Sequence, residues 1–221
     1  MPAPTRVDWT SGSNAGAATL TLSNPAGATA GDRVYAFISH TGTAATITDL
    51  QGWSIVLTLT FNTRKVHILE RAYTTSYPAL TLSTAEGMLW VTVAVRASSG
   101  YDLGATQLGT TWRRVDNGGS INTTQAPSMT APADALALAF FSETSTGAET
   151  EAQTTLSGTG WTKWFWSKAT AGDANPVNYV AYATPAAGPT GTASTTWPNN
   201  SNNGAGVQLV IPQTSNTSVS A

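Results

Sequence analysis

Apolar residues along this chain fall in short runs of alternating character, separated by Gly, Pro, Asn and Ser. Period-2 alternation bounded by turn formers predicts β-strands. The clearest run is Trp53 to Asn62, where Trp53, Ile55, Leu57, Leu59 and Phe61 are expected on one face and mainly Ser and Thr on the other. Leu89, Val91, Val93 and Val95 repeat the pattern within Met88 to Ala97. Arg33 to Ser39 and Ala135 to Ser142 are apolar on both faces, which predicts central strands. Further strands are expected at Ala17–Ser23, Val66–Tyr73, Ala79–Ser83, Thr106–Arg114, Trp161–Ser167, Asn178–Thr184, Thr190–Thr196 and Gly206–Ile211. Helical periodicity is nearly absent. Many short strands at roughly ten-residue spacing predict an all-β antiparallel sandwich.

The two halves repeat each other. Gly31 to Ser39 parallels Ala133 to Ser142, and each half continues with a Gly-Trp pair, Gly52-Trp53 and Gly160-Trp161. An aromatic strand ending in Ala72-Tyr73 or Ala181-Tyr182 follows, then a Thr-rich strand and an apolar one. The pattern predicts a jelly-roll-like sandwich formed from two pseudo-repeats, about residues 15–97 and 126–212, in a single intertwined domain over 1–212, with two separate sandwiches of about 100 residues as the alternative. Residues 213–221 are expected to form a polar, mobile C-terminal tail.

Composition narrows the chemistry. The 221 residues carry ten Lys+Arg against 12 Asp+Glu, a net charge of −2, and no basic stretch dense enough to neutralise phosphates. Nucleic-acid binding is therefore not expected. Cysteine is absent, which removes disulfides, thiolate metal sites and a thiol nucleophile. No apolar run approaches the roughly 18 residues that span a bilayer, and the N-terminal residues do not read as a signal peptide.

Catalytic constellations are not legible. The two imidazoles are His40 and His67, and Glu70, three residues beyond His67 on one strand, is expected on the opposite face. Glu143, Glu149 and Glu151 read as solvated charge in a loop, and Asp116 to Gly119 as a tight turn. Neither an enzyme activity nor a cofactor is expected. The most unusual stretch is Trp161 to Trp166. Alternation places Trp164 and Trp166 on one face, opposite Trp161, Lys163 and Phe165. Two indoles in line suit core packing, a protein interface or a sugar ring. Trp112, Arg113 and Arg114 form a second candidate contact, or else a charged edge strand.

The run Pro25-Ala26-Gly27, Ala30 to Ile38, Gly52-Trp53 and Arg71-Ala72-Tyr73 resembles β-sandwich modules of tailed-phage virion proteins. The second half resembles the same modules in Pro132 to Leu136, Gly160-Trp161, Tyr182-Ala183 and Gly188 to Ala193. The resemblance implies a non-enzymatic capsid decoration or minor capsid protein, or else a minor tail protein. It would be made in the host cytoplasm and sit on the virion surface. Implied partners are the major capsid protein or other virion proteins, with a homo-oligomer, a trimer, as the expected assembly. The alternative is a carbohydrate-binding module that reads a host surface glycan.

Overall fold

The computed structural model describes residues 2–61, 63–115, 123–144, 150–169, 176–197 and 203–216. The first half contains β1 (Thr5–Leu20), β2 (Arg33–His40), β3 (Ile47–Asp49), β4 (Ser54–Phe61), β5 (Arg64–Ala72) and β6 (Leu80–Arg96). The linking region supplies β7 (Tyr101–Leu103), β8 (Gln107–Leu108), β9 (Trp112–Val115), β10 (Thr123–Ala126) and β11 (Thr130–Ala131). The second half adds β12 (Leu136–Thr144), β13 (Thr155–Ser157), β14 (Thr162–Lys168) and β15 (Pro176–Ala183). It ends with β16 (Gly188–Pro189), β17 (Ala193–Thr196), β18 (Asn203–Ile211) and β19 (Gln213–Ser215).

The chain is all-β, an antiparallel sandwich formed from two pseudo-repeats. The first main sheet runs β1-β6-β2-β5-β4 and the second β14-β15-β12-β18-β8. Aligned on their central strands β2 and β12, both sheets have the same internal order, β6-β2-β5-β4 matching β18-β12-β15-β14. Outside β6 lies β1, and outside β18 lie β8 and β9, so the flanking strands correspond too. Each half thus supplies one main sheet. Their inner faces share one cluster, with Tyr35, Phe37, Val91 and Val93 on one side and Leu138, Phe140, Val180 and Val207 on the other.

The outer faces are buried as well. On the first sheet, Ile38, Met88 and Trp90 are covered by Leu20, Leu80, Leu82, Trp53 and Tyr77. On the second, Phe141, Tyr179 and Ala181 lie under Ala126, Ala193 and Trp197, carried by the small sheet β10-β17-β13 and the residue that follows β17. Double burial explains why β2 and β12 read as continuous apolar runs. Close approach of β10 requires glycine at 206, because a Cβ there would overlap the Gln125 carbonyl oxygen.

Several expectations are corrected. The strands expected at 79–83 and 88–97 are one 17-residue strand, β6, and β1 starts at Thr5 rather than Ala17. The Gly- and Ser-rich stretch of β1 carries little apolar signal because only its pairing with β6, not burial, holds it extended. The strand expected over 106–114 is broken into β8 and β9. Within β4, a bulge between Ile55 and Leu57 interrupts the alternation. Trp53 therefore joins the outer cluster, Leu59 and Phe61 the inner one, and Ile55 stands 48% exposed. The tail expected after Pro212 begins instead as β19, which pairs with β7.

Candidate functional site

The stretch with two indoles in line is reorganised by a bulge. In β14, Lys163 pairs with Ala181 and Phe165 with Val180, so Trp164 is the extra residue. Trp164 and Phe165 consequently both turn to the inner cluster, while Trp166 packs against the outer one. Trp164 and Trp166 do not share a face, contrary to strict alternation. The bulge is itself a repeat feature, since Val56 holds the corresponding place in β4. Trp161 sits in the outer cluster as Trp53 does in the other half, which the matching Gly-Trp pairs anticipate.

Trp164 instead belongs to an aromatic rim where the first sheet's edge strand β1 closes over β14. Its ring meets Tyr182 edge-on at 6.4 Å, and the Arg6 guanidinium lies 3.5 Å above the Tyr182 ring. Trp9 contacts Phe165 edge-on at 4.6 Å and remains 41% exposed. A shallow cleft of about 380 Å³, walled by Arg6, Leu136, Tyr182 and Thr184, opens beside it. Guanidinium over an aromatic face stabilises by roughly 0.5–1 kcal/mol at an exposed site.

The second candidate contact lies across the sandwich. Trp112 is half-buried and pairs with Gly206, and Arg114 stands opposite Gly204 in the same ladder. The exposed Arg113 donates from Nη1 to the Thr60 carbonyl at 3.1 Å, tying β9 to β4. Arg113 therefore seals a sheet edge within the chain.

A buried polar cluster gathers residues far apart in sequence. His40 Nδ1 lies 3.1 Å from Glu86 Oε2, which also accepts the Ala45 amide at 3.0 Å. The His67 ring is 5.0 Å from that of His40, and its Nδ1 bonds Thr58 Oγ1 at 2.8 Å. Lys65 Nζ donates to the Ala45 carbonyl at 2.5 Å. Desolvation pushes His67 down to about 3, helped by His40 and Lys65 nearby. It also lowers His40, against the opposing pull of Glu86. Both rings are therefore neutral at pH 7, and both Nε2 atoms are buried without a partner. Nothing local in the sequence marks this cluster, because His40 and Glu86 are 46 residues apart.

The carboxylates are scattered. Glu143, expected to be solvated, is 2% exposed and accepts Thr124 Oγ1 at 2.6 Å. Glu151 is exposed and pairs with Lys163. Glu70 accepts Thr106 Oγ1 at 2.5 Å, away from His67. Glu149 and the Asp116–Gly119 turn lie outside the described residues. Among the described residues, no three His, Asp or Glu side chains converge to hold a metal ion. Asp32 is held in an ion pair, its Oδ1 taking Arg96 Nε at 2.7 Å and its Oδ2 taking Arg96 Nη2 at 2.8 Å.

No protein-family model, curated protein or solved structure matches the chain.

Proposed function

We propose that this chain is a non-enzymatic structural protein of a tailed-bacteriophage particle, a capsid decoration or minor capsid protein, or else a minor tail protein. One observation carries the reading. The large apolar side chains most exposed among the described residues, Trp9, Ile55 and Leu108, all lie on terminal strands of the two main sheets. Both sheets spend their faces on internal burial. What is left to contact a partner is the set of terminal strands that carry these exposed apolar side chains. Such edges suit a neighbouring shell or tail subunit, and a low net charge lets adjacent copies sit close.

The test is co-sedimentation of the purified chain with particles that lack it. Binding is expected for the wild type and at least tenfold weaker for Trp9→Ser combined with Ile55→Ser and Leu108→Ser. Unchanged binding of a folded triple variant would overturn edge docking.

A carbohydrate-binding module is the second reading, favoured by the half-buried Trp164 and Tyr182 beside the cleft. The bulge removes the two-indole platform that first suggested it. Glycan-array binding that is lost in Trp164→Ala would support it.

A further inference from the structure

We propose that the loop 41–46 is an acid-released flap, latched onto the outer face of the first sheet by the buried cluster of His40, His67, Glu86 and Lys65. The device does not rest on the role proposed above. The latch grips both sides of one peptide unit region: Glu86 takes the Ala45 amide, and Lys65 takes the Ala45 carbonyl. Next along the loop, the Thr41 amide donates to the Gly87 carbonyl at 2.8 Å. Gly42 leaves no room for a Cβ beside Glu86 Oε1. The flap's far end is fixed at Thr46, whose amide donates to Ser83 Oγ at 3.0 Å and whose carbonyl accepts the Ser83 amide at 2.9 Å. The rest is irregular, and Thr43, Ala44 and Thr46 are exposed.

Among the described residues, the charged or titratable groups facing the latch are these. His40 comes from β2, Arg64, Lys65 and His67 from β5, and Glu86 from β6, while β4 presents the neutral Thr58. Two fixed cations already face one carboxylate. A proton on His40 is partly offset by its contact with Glu86, an offset that His67 lacks, so His67 is the stronger trigger. His67 has no carboxylate partner, and its Nε2 has no acceptor. Charging it adds a third cation to a dry site beside Lys65, and that charge needs water. The strand ladders β2-β5 and β2-β6 hold the ring from beneath. The flap, bonded to Glu86 and Lys65 beside the ring, is the irregular segment that can lift.

The size of the effect follows from linkage. His67 titrates near 3 when latched and near its ordinary 6.5 once hydrated. Each pH unit below about 6.5 therefore raises the open fraction about tenfold, a gain of roughly 100-fold at pH 4.5.

Amide hydrogen exchange on the full chain, corrected for intrinsic rates, tests this. The Ala45 and Thr41 amides should lose about 100-fold in protection between pH 7 and 4.5 through a local opening that sub-denaturing urea does not promote, whereas Phe140, Val180 and Val207 should exchange through global unfolding, which urea does promote. In His67→Gln most of the loss should vanish. Protection at Ala45 that is flat with pH, that shares the urea dependence of the second sheet, or that falls as far in His67→Gln as in the wild type would overturn the proposal. Should that variant not fold, imidazole resonances of the wild type decide. A His67 ring neutral until below pH 5 fits the latch, and one titrating near 6.5 with Ala45 still protected contradicts it.

Discussion

Ser39 Oγ lies 2.7 Å from Ser142 Oγ, across the sandwich interior and 103 residues apart in sequence. Two residues earlier on each strand, Phe37 stacks on Phe140 with ring centroids 4.8 Å apart. Each pair joins equivalent positions of the two repeats, so a pseudo-twofold axis passes between them. The same offset equates Gly31 with Asp134, both in the left-handed region at φ 94° and 63°. Asp32 and Asp134, which look alike in sequence, are one position out of register. Asp32 alone pairs with Arg96.

The Ser39 hydroxyl also bonds Asn178 Oδ1 at 2.5 Å, making a small polar island in an apolar core. Ser39→Ala and Ser142→Ala should each cost about 1–3 kcal/mol, because a buried polar group loses its partner. The double variant should cost less than the sum, since both remove one shared interaction. Urea unfolding of the three variants measures the coupling, and strict additivity would count against the shared bond.

Phe140→Ala should cost about 3–5 kcal/mol, and Phe37→Ala a similar amount, because both leave a void on the axis. Comparable midpoint shifts in denaturant are expected for the two. A cheap loss at one position alone would mean that the halves pack unequally there.

Arg96→Ala should destabilise by about 3 kcal/mol. Arg96 is partly exposed, but Asp32 is 1% exposed, and removing the guanidinium strands a buried carboxylate. Asp32→Asn together with Arg96→Ala should recover part of that loss in thermal unfolding.

Acid should weaken the fold in a defined window. Burial holds His67 near 3, below its ordinary 6.5, so the unfolded chain binds that proton more tightly than the folded one. Its contribution is fully present above pH 6.5 and is lost as pH falls from about 6.5 toward 3, on the order of 4 kcal/mol in total. Denaturant unfolding at pH 7 and 4.5 should show the loss, and His67→Gln should flatten it.

How much of this was legible in the sequence depends on where burial acts. The central strands β2 and β12 are apolar on both faces and stand out, as do the Gly-Trp turns at Gly52 and Gly160, whose φ values are 84° and 81°. Strand β1 does not stand out, because an edge strand held by backbone pairing needs no apolar alternation. The bulges at Val56 and Trp164 are also silent in period-2 reasoning. Each inserts a residue and exchanges the faces on one side of it, which is how the Trp164 and Trp166 pair came apart. The His40 and Glu86 contact is a product of topology, visible only once β2 and β6 are neighbours.

Attachment to a phage particle is the central claim, and immunogold electron microscopy of purified particles, with an antibody raised against this chain, tests it most directly. Label over the head is the expected result for a decoration protein, and label confined to the tail assigns it to the minor tail proteins. Absence of label on both intact and gently opened particles would contradict the account.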